Sequence, residues 1–264
     1  MPHNLPQDDS RFMPPLQLAG QLIMETGGET YRVEETITRM GRAFGLADVE
    51  SFAVPSGLFV SYRRSDGSVE TAVRRVRRGA TNLTCVNAVN QVSRMVEAGK
   101  LNCEEAYARL LEIKNAPAPY SPAMTILWAA ISSAGFAVMF GGRLIEFLVA
   151  AMATTAAQLL ALYFQNRRLH GLVTVLVGSV TSALIPMLFN RLTGLCMVDA
   201  TVAGALMPLL PGLAMTIAVQ DTMRGDSLSG TSHGISAALT AVMVAGGALI
   251  ASGIMSLIAG GGVL

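Results

Sequence analysis

Charge is nearly missing from the second half of this chain: from Pro122 on, 143 residues hold only nine of its 37 charged side chains. Five uncharged stretches result, at 116–142, 147–166, 169–190, 200–220 and 227–264. A helix rises about 1.5 Å per residue, so roughly 20 apolar residues cross a hydrocarbon core about 30 Å thick, and each stretch is long enough. Soluble helices keep a charged outer face and these have none, which excludes the core of a water-soluble helical protein. Reactive side chains are equally sparse. Histidine is limited to His3, His170 and His233, with no zinc spacing, nucleophile elbow or phosphate loop, so no enzymatic activity, metal or cofactor is expected. Cys85, Cys103 and Cys196 show no paired spacing and are expected to be small apolar fillers. An apolar leader is missing too: Met1 to Pro15 is polar and proline-rich, so the N-terminal part is expected to stay in the cytoplasm. The net charge of +1 gives no reason to expect a nucleic-acid partner.

What is present divides near residue 121. The first 121 residues balance fourteen Lys and Arg with fourteen Asp and Glu, as a water-soluble domain does. The expected fold is an α-helical polytopic membrane protein with an N-terminal cytoplasmic α/β domain over 1–121 and a transmembrane domain over 122–264. Its five helices are placed near 122–140, 144–166, 171–189, 197–219 and 234–257. Lys114, Arg167, Arg168 and Arg224 fall on one side of these crossings and Arg143 and Arg191 on the other. Basic loop residues favour the cytoplasm, which puts the N-terminus inside a bacterial inner membrane and the C-terminus in the periplasm.

In the soluble part, Leu22, Thr26, Thr30, Val33, Ile37, Met40 and Phe44 recur at three- and four-residue steps, predicting one helix to about Gly45, interrupted at Gly27 and Gly28. Leu58, Val60 and Tyr62 alternate, a Ser65-Asp66-Gly67-Ser68 turn follows, and Val69, Thr71 and Val73 alternate again. That is a hairpin, with 49–54 as a third strand; helices near 81–99 and 103–115 lead to the membrane. Arg63, Arg64, Arg74, Arg75, Arg77 and Arg78 form the one basic cluster. Alternation points neighbouring arginines to opposite faces, so a solvated strand end balanced by Asp66 and Glu70 is preferred to a site for the anionic inner leaflet. Glu25 with Glu29, and Glu35 with Arg39, lie one helical turn apart and are expected to face solvent.

The fourth apolar stretch is broken at its centre by Met207-Pro208-Leu209-Leu210-Pro211-Gly212. Pro208 and Pro211 lack the amides that would serve the carbonyls of Gly204 and Met207. Non-helical backbone at bilayer depth survives where protein or a watery cavity satisfies it, and transporters aim such half-helix N-termini at anionic groups. A restart at Pro211 frees the amides of Gly212, Leu213 and Ala214 at a positive dipole end, where a carboxylate fits. The candidate substrate-binding residues are Pro208, Pro211, Gly212, Leu213 and Thr216, with Thr154 and Gln158 at similar depth. Thr155, Ser179, Thr181 and Ser182 are polar neighbours better read as interhelical contacts. Asp199 and Asp221, near opposite ends of the broken helix, are the candidate proton-coupling groups. Small residues such as Gly178, Ser182, Ala237, Ala241 and Ala245 suit close packing against further helices, from a partner or a second copy.

Three segments carry a resemblance: Gly27-Gly28-Glu29-Thr30-Tyr31-Arg32-Val33-Glu34-Glu35-Thr36-Ile37, Val54-Pro55-Ser56-Gly57-Leu58-Phe59-Val60, and Leu210-Pro211-Gly212 through Asp221 to Gly225-Asp226. Across nearly its whole length the chain resembles the threonine/serine exporter family. The family has a single-chain form and a split bacterial form, and this chain is similar to the larger, soluble-domain subunit of the split form associated with succinate export. The resemblance implies a secondary exporter of small carboxylates or amino acids driven by the proton gradient, with a small, wholly membrane-embedded subunit as partner. Two positions depart from the family: Ile217 stands where Asn is usual, and His233 where a basic residue is often found. The competing class is a non-transporting sensor or assembly protein that acts through its soluble domain.

Overall fold

The computed structural model describes residues 9–77, 79, 81–167 and 169–258; His3, Arg78, Arg168 and Leu264 lie outside the described residues. Glycine decides the first chain reversal. Helix α1 (Met13–Glu25) ends at Gly27, whose φ of +83° suits a residue without Cβ. The Gly28 amide donates to the Ile23 carbonyl at 2.8 Å and the Gly27 amide to Met24 at 3.3 Å, the paired closure of a left-handed helix end. Helix α2 (Thr30–Ala43) then starts afresh from an extended Glu29. The single interrupted helix expected up to Gly45 is therefore two helices, because the glycine pair closes the first rather than bending it.

The described chain forms two units, Met1–Pro119 with Thr216–His233, and Tyr120–Met215 with Gly234–Leu264. In the first, strands β1 (Ala47–Val54), β2 (Gly57–Arg63) and β3 (Val69–Arg75) form an antiparallel meander in the order β1-β2-β3. Leu58, Val60 and Tyr62 point inward and join one core with Leu16, Ala19 and Ile23 of α1 and Val33, Ile37 and Met40 of α2. Helices α3 (Leu83–Glu97) and α4 (Cys103–Asn115) close that core. Arg64 pairs with Glu70 at 2.8 Å as the sequence suggests, but Arg63 pairs with Asp48 at 2.7 Å. Asp66 is instead spent on its own turn, accepting the Ser68 amide at 2.8 Å and hydroxyl at 2.6 Å.

The second unit is built from α5 (Pro122–Met139), α6 (Leu144–Asn166), α7 (Gly171–Thr193), α8 (Val198–Leu206) with a 3-10 turn at Met207–Leu209, the start of α9 (Gly212–Met223) and most of α10 (Ser227–Ile258). Four of these helices are long and apolar enough to cross a membrane; α8 with its turn and α9 make a fifth if that pair, bent by 56°, is one span. Its interior is small and its exterior large. Ala137, Ala150, Ala153 and Ala205 pack together, whereas Trp128 is 53% exposed and Leu249 72%. That inversion suits a bilayer, where tails solvate bulky side chains and small ones let backbones approach. Helix α10 starts at Ser227 rather than near 234, because Asp226 accepts the Ser229 amide at 3.0 Å and makes the polar run Ser227–His233 helical. Hydropathy is blind to such a polar first turn.

Candidate functional site

Two of the three resemblance segments meet at the start of α2. Thr30, its first residue, is 5% exposed, and its hydroxyl donates to Asp221 Oδ2 at 3.5 Å across 191 residues of sequence. Asp221, on α9, is 1% exposed. One residue further along α2, the Tyr31 ring carries the Arg224 guanidinium 3.6 Å from its centroid, a close cation–π contact. Glu29 and Arg32 neutralise each other at 2.6 Å. Glu34 accepts the Ala53 amide at 3.1 Å; burial, with the nearby charge of Asp226, pushes its carboxyl above the usual range. The remaining segment, 54–60, contributes Pro55, which with Met24, Gly28, Thr30 and His233 lines a cavity of about 10 Å³.

The turn from α9 to α10 that presents Asp221 and His233 is tight. Gly225 adopts φ of +89° and the Asp226 amide returns to the Asp221 carbonyl at 3.0 Å. A Cβ at Gly230 would strike the Thr222 hydroxyl and lie 2.9 Å from the Ala218 carbonyl, so only glycine lets α10 pass this close to α9.

At the break, the structure repairs part of what proline removes. The Leu210 amide donates to the Met207 carbonyl at 3.2 Å, closing the 3-10 turn, and the Gly212 amide donates to Leu210 at 2.9 Å. The expectation that Gly212 presents a free amide is thereby corrected: the turn folds back one residue and uses it. The amides of Leu213 and Ala214, in the first turn of α9, meet no carbonyl among the described residues. Pro208 and Pro211 are half-buried, while Gly212, Leu213 and Thr216 are exposed.

Residues 16–255 match the family model described as "Putative threonine/serine exporter". The chain belongs to the threonine/serine exporter family. Two curated relatives, each named "Probable succinate transporter subunit YjjP", align over most of their length. The one from Klebsiella aerogenes is 26% identical over 230 residues, covering 87% of this chain and 88% of the relative. The one from Escherichia coli K12 is 25% identical over 238 residues, covering 88% and 90%. No solved structure matches the chain. Family membership together with the apolar helices makes this a multi-pass membrane transporter rather than an enzyme.

The remaining residues named from sequence fall in different settings. The hydroxyl of Thr154 on α6 donates to Ser133 Oγ of α5 at 2.7 Å and lies 3.4 Å from the Ala205 carbonyl of α8, so it ties three helices just before the break. Gln158, one turn on along the same face, is half-buried. Asp199 is exposed in the first turn of α8. Sequence reasoning missed Glu146, 3% exposed, which accepts the Arg143 amide at 2.6 Å and the Met197 amide at 2.8 Å, holding the starts of α6 and α8 together. The signal was present, since a carboxylate at the start of an apolar helix is unusual. Nothing local to His233 announces that it shares a cavity with Thr30.

Proposed function

We propose that this chain is the soluble-domain subunit of a two-component secondary exporter of small carboxylates or amino acids, with succinate first and threonine or serine next. It crosses a bacterial inner membrane five times, with its N-terminal domain, ending near residue 121, in the cytoplasm and its C-terminus in the periplasm. It works with a small membrane-embedded subunit, as the word "subunit" in the relatives' names suggests.

The observation that carries this reading is the break in the α8–α9 pair. An apolar helix interrupted between Leu206 and Gly212, with the Leu213 and Ala214 amides open at the restart, offers a substrate carboxylate two donors and a positive dipole end. Pro208, Pro211, Gly212, Leu213 and Thr216 shape that site; Gln158 borders it and Thr154 holds its wall. Asp221, buried against Thr30, and Asp199, at the other end of the broken helix, couple substrate to protons.

The test is metabolite profiling of the medium from cells lacking both subunits, then restored with either or both. Succinate should appear outside only with both. Identical media in all four strains would overturn the transport reading, and undiminished export by this chain alone would overturn the two-component one.

A further inference from the structure

Thr30 joins two buried ionisable groups that lie on different helices. Its hydroxyl donates to Asp221 on α9, and it lines, together with His233 of α10, a cavity whose other walls are Met24, Gly28 and Pro55. His233 is 7% exposed. At about 10 Å³ the cavity has room for one water and little else. Buried waters persist where polar groups supply hydrogen bonds, and two of the lining residues, Thr30 and His233, carry a hydroxyl and an imidazole.

We propose that one water in this cavity links His233 to Thr30, so that His233, Thr30 and Asp221 form a proton-binding relay in which the imidazole is the exchanging group. This deepens the coupling role given to Asp221 and rests on the transport reading for its purpose, though not for its existence. A proton taken up by the imidazole passes to the water, and the water returns one to Thr30 Oγ as the hydroxyl releases its own to Asp221 Oδ2. One proton enters and one arrives, and Thr30 and the water are unchanged. The 3.5 Å donor distance is long, as relay contacts often are before the working state tightens them.

The neighbouring charged groups have contacts of their own. On α2, Glu29 and Arg32 pair at 2.6 Å, and Tyr31 lies under Arg224. Glu34 accepts the Ala53 amide, Asp226 caps α10, and on α1 Glu25 accepts from Gln21 at 2.6 Å. Asp221 is joined to the cavity through the hydroxyl of Thr30, one of its lining residues.

The test uses the full chain with His3→Gln and His170→Gln, leaving His233 as the sole histidine, labelled on its imidazole nitrogens and titrated by NMR across the range in which histidine changes charge. Asp221→Asn and Thr30→Val should each move the imidazole midpoint by about half a pH unit or more, and Thr30→Ser should leave it in place. Thr30→Ser keeps the hydroxyl and Asp221→Asn the shape, so the comparison survives if Thr30→Val folds poorly. The same midpoint in every variant, or no titration in the parent, would overturn the relay. Succinate export is measured separately in His233→Gln, whose flux should lose its dependence on internal pH. A parent chain without succinate flux counts against the transport reading while the NMR result stands by itself.

Discussion

Pro211→Ala is the most informative single change in the broken helix. Leu210 sits at φ −70° and ψ 137°, extended backbone that a following proline enforces by disfavouring the helical region. Alanine lifts that restriction and is about 3 kcal/mol more favourable than proline inside a helix, so the chain gains by running α8 into α9. The Leu213 and Ala214 amides then bond the carbonyls one turn back. If each contributes about 1.5 kcal/mol to a bound carboxylate, as hydrogen bonds to charged groups do, about 3 kcal/mol is lost. That is roughly a 150-fold weaker site. The assay is succinate export by cells carrying the variant with its partner subunit, at membrane abundance matched by immunoblot. Flux should fall to background at substrate levels that half-saturate the parent, while abundance and thermal stability hold or rise. Pro208→Ala with Pro211→Ala should do so more completely. Normal flux at matched abundance would show that the break is a kink and that the carboxylate binds elsewhere.

Thr154→Val should cost about 0.5–1.5 kcal/mol of stability by removing the tie among α5, α6 and α8. Apparent substrate affinity should hold, and a changed affinity at unchanged melting temperature would place Thr154 in contact with substrate instead. Gly230→Val forces a side chain onto Thr222 and the Ala218 carbonyl and should destabilise by about 1–3 kcal/mol, with Gly230→Ala milder; thermal unfolding in detergent checks both, and two unchanged melting temperatures would refute the close approach. Glu34 carries a carboxyl raised above its ordinary 4.5, so its favourable contribution is complete below that value and is lost as pH rises through the raised one. Glu34→Gln should therefore be the more stable form at neutral pH and lose that advantage on acidification, as unfolding followed across pH would reveal; an advantage that grows toward acid would reverse the assignment.

Hydropathy alone located the long apolar helices, because transfer of an apolar side chain into hydrocarbon is a local, nearly additive property that needs no knowledge of neighbours. The three strands were legible for a similar reason: Leu58, Val60 and Tyr62 alternate, and one face of a strand is buried whatever covers it. Pro208 and Pro211 marked the break, since a missing amide acts on its own carbonyl. Other features belonged to the tertiary structure. That Gly27 and Gly28 close α1 depended on carbonyls at Met24 and Ile23 being reached, and that Gly212 spends its amide on Leu210 depended on how the turn folded back. The start of α10 needed the Asp226 cap, which no hydropathy window weighs. The contact of Thr30 with Asp221 and the cavity that Thr30 and His233 line, like the grip of Glu146 on Met197, join residues from segments far apart in sequence. A buried polar group acquires meaning only from its partner, and which partner it meets is set by the path of the whole chain.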